Sequence, residues 1–229
     1  MYIELLNVCA APVNKPLIYE PMTAFTDVLI FGLGLYFARE LYGIYVTKLM
    51  SVHVHFMMVF FFMGLAGLLG ALTHGIGPHL PQSVHTFIWR ITLYCIGLST
   101  FSMLMGGLYH VVPFTMMNWL KWLPFLALVV YLVAVTRNDN FKTVIRFYTP
   151  AMTLVLIMML YSWLRFHGVG TGWIIASILV ALGGAIVQQS GFALHKHFNH
   201  NDIYHVVQMG GMYLLYRGVI ILKDFVHIH

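Results

Sequence analysis

The chain has 229 residues, 60% of them hydrophobic and 8% charged, with a formal net charge of +5 and a mean hydropathy of +0.84. Water-soluble domains carry roughly 25% charged residues, so this chain lacks the polar surface such a domain needs. Its positive charge is scattered instead of gathered into the patch that a nucleic acid requires, which excludes a nucleic-acid partner.

Residues 1–22 read as an N-terminal tail. The stretch 5–11 has no basic flank and is shorter than the ~7–15 apolar residues of a signal peptide. Of the two cysteines, Cys9 falls in this tail and Cys95 in an apolar run, so they belong at different depths and read as inert thiols. From there apolar runs fill the chain, and a membrane-crossing helix needs ~20 such residues. Seven windows qualify: 23–45, 52–73, 86–111, 119–136, 143–164, 172–192 and 203–225. The separators are short and rich in breakers, such as Gly75-Ile76-Gly77-Pro78 and Arg137-Asn138-Asp139-Asn140, which makes consecutive helices antiparallel neighbours. Pro124 and Pro150 are candidate kinks. Glycines at 64, 67 and 70 in the second span, and Gly183-Gly184 and Gly210-Gly211 in the last two, suit close helix contact. The expected architecture is all-α: a multi-pass integral membrane protein, one domain over 1–229, folded as a seven-helix transmembrane bundle. Lysine and arginine divide evenly between the two ends of the spans, so charge gives no orientation.

Thirteen histidines among so few charged residues are the unusual feature. On the seven-span layout His74, His79, His85, His195, His197, His200 and His205 gather toward the face where the tail begins, together with Glu20 and Asp27. The other six (His53, His55, His110, His167, His227 and His229) lie toward the opposite face, where an imidazole suits an interface. The first group brings ligands from separate segments to one depth. Neutral imidazole is a common zinc ligand, and ionisable groups at membrane depth mark functional sites. Glu20, Asp27 and Asp202 add carboxylates able to orient ligands or carry protons. His205, Gln208 and Met212 share one helical face, and Gln188, Gln189 and Ser190 end the preceding span. The stripe Ser99, Ser102, Gly106, His110 reads first as a packing surface.

This arrangement resembles the CREST superfamily, the seven-helix membrane proteins that include alkaline ceramidases and the progestin and adiponectin receptors. Glu20 in Tyr19-Glu20-Pro21 looks like the family's glutamate before the first helix. His74 ends the second span as in the family's Ser-x-x-x-His, His85 stands where an aspartate opens the third, and His200 and His205 stand where a His-x-x-x-His pair opens the seventh. The sequence departs from the family pattern in three places. Gly70 replaces the serine, His85 replaces the aspartate, and the last pair is spaced i, i+5, ~140° apart on an ideal helix. His200 and His205 can share a metal if the last helix starts at Asn201 or Asp202.

The resemblance implies zinc held by His74, His200 and His205, with His79 and His197 in reserve. It also implies hydrolysis of a lipid amide or ester, with His85, Asp202 or Glu20 accepting and returning the proton. Membrane lipids and a lipid substrate or ligand are the partners it implies. Three other readings stay open. One is a receptor or sensor whose zinc is structural, with His85 as fourth ligand. Another is a b-type cytochrome with paired axial histidines. The third is a transporter, although few polar residues fall at mid-membrane.

Overall fold

The structure, a computed structural model, describes residues 16–195 and 198–228. Cys9, Lys15, Lys196, His197 and His229 lie outside the described residues. The fold is all-α, with eight helices among the described residues: α1 (Pro21–Lys48), α2 (Ser51–Ile76), α3 (Gln82–Val111), α4 (Phe114–Leu120), α5 (Trp122–Arg137), α6 (Phe141–Phe166), α7 (Thr171–Ser190) and α8 (His200–Val219). Single 3₁₀ turns occupy Gly77–His79 and Phe225–His227.

Six helical segments are long and apolar enough to cross a membrane: α1, α2, α3, α4 with α5, α6 and α7. Two of the expected windows shift. The fourth starts earlier, at Phe114 after Pro113, and breaks at Lys121. Pro124 has no N–H to give the carbonyl of Leu120, so the helical ladder is interrupted there. The seventh starts at His200 and ends at Val219, and it falls outside the six because its first turns carry His200, Asn201, Asp202, His205 and Gln208. Pro150 sits inside α6, which runs through it.

The α1–α2 seam positions the site. The buried residues of α1 (Thr23, Thr26, Asp27, Ile30, Gly34, Phe37, Ala38, Leu41) follow the i, i+3, i+4 rule of one helical stripe. They meet Gly64, Gly67 and Gly70 of α2, three residues apart and hence on one face. A Cβ on Gly34 would lie 2.7 Å from Gly64 Cα and 2.7 Å from the Phe60 carbonyl oxygen, so the backbones touch there. The same closeness continues to Gly67, under the Asp27 carbonyl, and to Gly70, under the Asp27 carboxyl group. Small residues at one spacing thus bring a carboxylate of α1 against α2.

At the other end of the bundle Asp224 caps α2, accepting from Ser51 N–H (2.7 Å) and Val52 N–H (2.8 Å). His110 bonds Ser162 Oγ through Nε2 and the Lys223 carbonyl oxygen through Nδ1, both at 2.7 Å. The stripe on α3 is both contact and cavity wall: Ser99 donates to the Val59 carbonyl and lines the cavity between the helices, and Gly106 admits the Phe56 ring.

Candidate functional site

A cavity of about 680 Å³ lies among α1, α2, α3, α6, α7 and α8. Most of its wall is apolar, from Ile30, Met63, Ile96, Met103, Met152 and Ile178 among others. One end is polar, formed by Asp27, His74, His205, Gln188, Asn201 and Gln208. Gln188 Nε2 donates to Asn201 Oδ1 at 3.3 Å. Among the described residues of the lining, Asp27 is the only acid, and there is no lysine or arginine. Ile145 of α6 and Ile186 of α7 also line the cavity while standing exposed, so it reaches the outer surface between those two helices.

The polar end is built from paired contacts. His205 is buried, and its Nδ1 lies 2.8 Å from Thr26 Oγ1. The Thr26 hydroxyl hydrogen already has acceptors in the carbonyls of Met22 (3.1 Å) and Thr23 (3.0 Å). Thr26 Oγ1 accepts from His205 when Nδ1 carries its proton and donates to Nδ1 otherwise. Nε2 faces Asp27 Oδ1 at 3.5 Å, too long for a hydrogen bond of ordinary strength. Asp27 is 5% exposed, and its Oδ2 has no hydrogen-bond partner. His74 makes a similar contact: its Nδ1 lies 3.2 Å from Glu20 Oε2, a ring N–H donating to a carboxylate oxygen. The chain leading into α1 is held there by backbone bonds from Tyr19 N–H to the Gly75 carbonyl and from Glu20 N–H to the His74 carbonyl.

The other expected site residues separate from this group. Asp202 is 1% exposed, and both its oxygens are committed: Oδ1 accepts from Thr23 Oγ1 (2.8 Å) and Oδ2 from Asn199 N–H (2.6 Å). With Asn199 Oδ1 accepting from the first-turn N–H groups, this is a capping box that starts α8. Because Asn199 is the cap, His200 is the first helical residue and not a residue outside the helix, so the ~140° from His205 stands. His200 does not line the cavity. Neither does His85, which folds back on the α2–α3 turn, where its ring would meet a Cβ on Gly77 at 2.9 Å. His79 holds the preceding segment, its Nε2 2.9 Å from the Pro16 carbonyl oxygen. At the opposite face both nitrogens of His110 are engaged, leaving none for a haem iron.

Beyond the accessory carboxylate expected of Asp27, the structure adds Thr23 and Thr26 to this end of α1. The signal was there: three polar residues at i, i+3, i+4 on one face of an apolar helix.

The resemblance implies zinc, and the donor set can be tested against it. His74 and His205 each hold one ring nitrogen against an oxygen partner, as metal-ligating histidines commonly do. A buried carboxylate with an unpaired oxygen stands in the same cavity wall. Their chemistry fits zinc, which accepts two histidines and a carboxylate. Among the described residues, however, no three histidine, cysteine or acidic side chains are drawn onto a common centre at coordinating distance.

Fold and site together define an all-helical protein with six helices fit to cross a membrane and an apolar cavity ending in histidine and carboxylate. The chain matches the model of a family of unknown function, DUF6962, over residues 22–224, and it belongs to that family. No curated protein and no solved structure matches it.

Proposed function

We propose that this protein is a multi-pass membrane protein of seven spans, with α8 as the seventh, and that it is a zinc-dependent hydrolase of a lipid amide or ester, a divergent relative of the CREST superfamily. The observation that carries the reading is a mostly apolar cavity whose wall holds His74, His205 and the buried carboxylate of Asp27, with Asp27 and His205 in contact.

Large apolar side chains exposed along the helices, including Phe25, Leu29, Tyr36, Phe61, Val130 and Ile157, suit a lipid surround. The cavity volume lies within the range of small-molecule sites. Its apolar length suits an acyl chain, and the amides of Gln188, Asn201 and Gln208 can meet the hydroxyl and carbonyl groups of a head group. The lateral opening beside Ile145 and Ile186 would admit such a molecule from the bilayer.

His74 and His205 would hold the metal through Nε2. When bound, zinc supplies Lewis acidity and lowers the pKa of a bound water toward ~7. Glu20 and Thr26 orient the two imidazoles, and Glu20 stands 3.2 Å from His74 as a carboxylate able to accept a proton. Asp202 acts as a positioning residue, starting α8 and tying it to Thr23 of α1.

The test is release of fatty acid from a panel of N-acyl and O-acyl lipids by protein reconstituted in phosphatidylcholine vesicles, with and without zinc. Zinc-dependent release that is lost in His205→Ala is the expected result. A zinc-loaded protein that releases nothing across the panel would replace the hydrolase with a sensor of structural zinc.

A further inference from the structure

We propose that the cavity takes an uncharged lipid with a single long chain, the chain lying along the apolar wall and a hydroxyl- or amide-bearing head group meeting Gln188, Asn201 and Gln208. This rests on the lipid reading above and narrows its substrate class to amides and esters with one chain and no ionised group. It needs neither the metal nor the hydrolysis.

The dimensions set the number of chains. On α8 the lining residues run from Asn201 to Leu215, fourteen positions and so ~21 Å of helix rise. An extended hydrocarbon gains ~1.25 Å per carbon from C–C bonds of ~1.5 Å, so a chain of about sixteen carbons spans that depth. A methylene group occupies about the space of a water molecule, ~30 Å³, so such a chain fills ~480 Å³ of the cavity's 680 Å³. The remaining ~200 Å³ holds a head group of about seven non-hydrogen atoms. A second chain of the same length raises the demand to ~960 Å³ before any head group is placed, more than the cavity offers.

The polarity of the wall sets the head group independently. Four wall hydroxyls are spent on backbone carbonyls: Thr92 on Ile88, Ser99 on Val59, Thr100 on Ile96 and Ser177 on Gly211. They leave that stretch of wall to hydrocarbon. The amides keep capacity for a ligand. Gln188 gives one N–H to Asn201 Oδ1, which leaves the Gln188 carbonyl oxygen and the Asn201 amide N–H groups, and Gln208 adds another amide. Neutral donors and acceptors of this kind match a hydroxyl or an amide. Among the described lining residues there is no lysine or arginine, and Asp27 is an acid, so an ionised carboxylate or phosphate would enter without a counter-charge. Arg90 of α3 lies outside the lining and is paired with Asp139 at 3.0 Å. The wall therefore admits an uncharged lipid and does not hold the ionised fatty acid that hydrolysis would release from it.

The experiment reads binding, with chelator present so that side chains alone set the selectivity. Protein in phosphatidylcholine vesicles is photolabelled with an N-acyl ethanolamide of about sixteen carbons bearing a diazirine on its chain. Unlabelled competitors of matched chain are the same amide, a monoester of glycerol, the free fatty acid, a one-chain phosphate and a two-chain amide. Competable label should fall on lining residues of α3, α7 and α8. The amide and the monoester should compete at concentrations about 10-fold or more below those of the two anions and the two-chain lipid. Ala181→Trp fills the cavity and should abolish competable label. Gln208→Arg brings in a cation and should improve competition by the fatty acid about 10-fold. Gln188→Arg supplies the same charge from α7, and melting of each variant separates altered selectivity from a lost fold. Equal competition by fatty acid and amide, preference for the two-chain lipid, or competable label only outside the lining would overturn the inference. Selective binding without fatty-acid release would leave it standing and remove only the hydrolase. Zinc-dependent release chiefly from two-chain lipids would overturn it and leave the hydrolase in place.

Discussion

Gly34→Ala tests the seam on which the site depends. A methyl group there would stand 2.7 Å from Gly64 Cα and from the Phe60 carbonyl oxygen, about 0.7 Å inside the ordinary contact distance of 3.4 Å. Both obstacles are backbone, so no rotamer change relieves the overlap, and α1 must move away from α2. Overpacking of this kind costs about 1–3 kcal/mol. Alanine also returns up to ~1 kcal/mol of helix propensity relative to glycine, so the variant needs a matched control. Gly32→Ala and Gly43→Ala provide it: they lie in the same helix, and an added Cβ meets nothing within 4 Å. The difference between Gly34→Ala and these two cancels propensity and isolates the clash. Unfolding in mixed micelles, followed by circular dichroism against denaturing detergent, should show both controls neutral or slightly stabilised. Gly34→Ala should fall about 1–3 kcal/mol below them. Zinc affinity should drop with it, because withdrawal of α1 carries Thr26 off His205 Nδ1. Equal stability of Gly34→Ala and Gly32→Ala would refute the close α1–α2 contact and the placement of Asp27 derived from it.

Thr26→Val keeps the shape of the side chain but removes the oxygen that receives His205 Nδ1–H. Zinc affinity should fall about 10–100-fold in a competitor titration, with the fold intact; unchanged affinity would contradict a positioning role for Thr26 toward His205. His85→Ala should keep its full zinc content, since the ring packs on Gly77 outside the cavity. Loss of zinc there would return His85 to the ligand set. Asp224→Ala leaves Ser51 and Val52 N–H without their cap and should cost about 0.5–2 kcal/mol of stability in the same micelle assay, without touching zinc binding. A variant that loses zinc instead would mean the two ends of the bundle are coupled.

Much of the fold was legible because apolar runs and breakers are strong local signals. The windows 23–45, 52–73 and 86–111 fall within the observed helices α1, α2 and α3. The failures have local causes. Pro113 and Pro124 moved the start of the fourth span and split it, and the Asn199 capping box set the start of α8. The candidate site was half legible. His74 and His205 were found from helix-end placement and do share a cavity wall. His200 and His85 stand at motif positions, and neither lines that cavity, because motif position does not record the direction a side chain takes from its helix. The burial of Asp27 was not legible because it depends on Gly70, 43 positions away in the sequence, whose lack of a side chain leaves room for the carboxyl group.

The most direct measurement is hydrolysis in water labelled with ¹⁸O. Zinc-loaded wild type in vesicles is supplied with N-acyl and O-acyl lipids, and the released fatty acid is examined by mass spectrometry beside a His205→Ala preparation. The account predicts fatty acid bearing one oxygen from the labelled water in the wild type and little or none in the variant. Equal release from both preparations, acyl product without the label, or no release from a fully zinc-occupied wild type would contradict it.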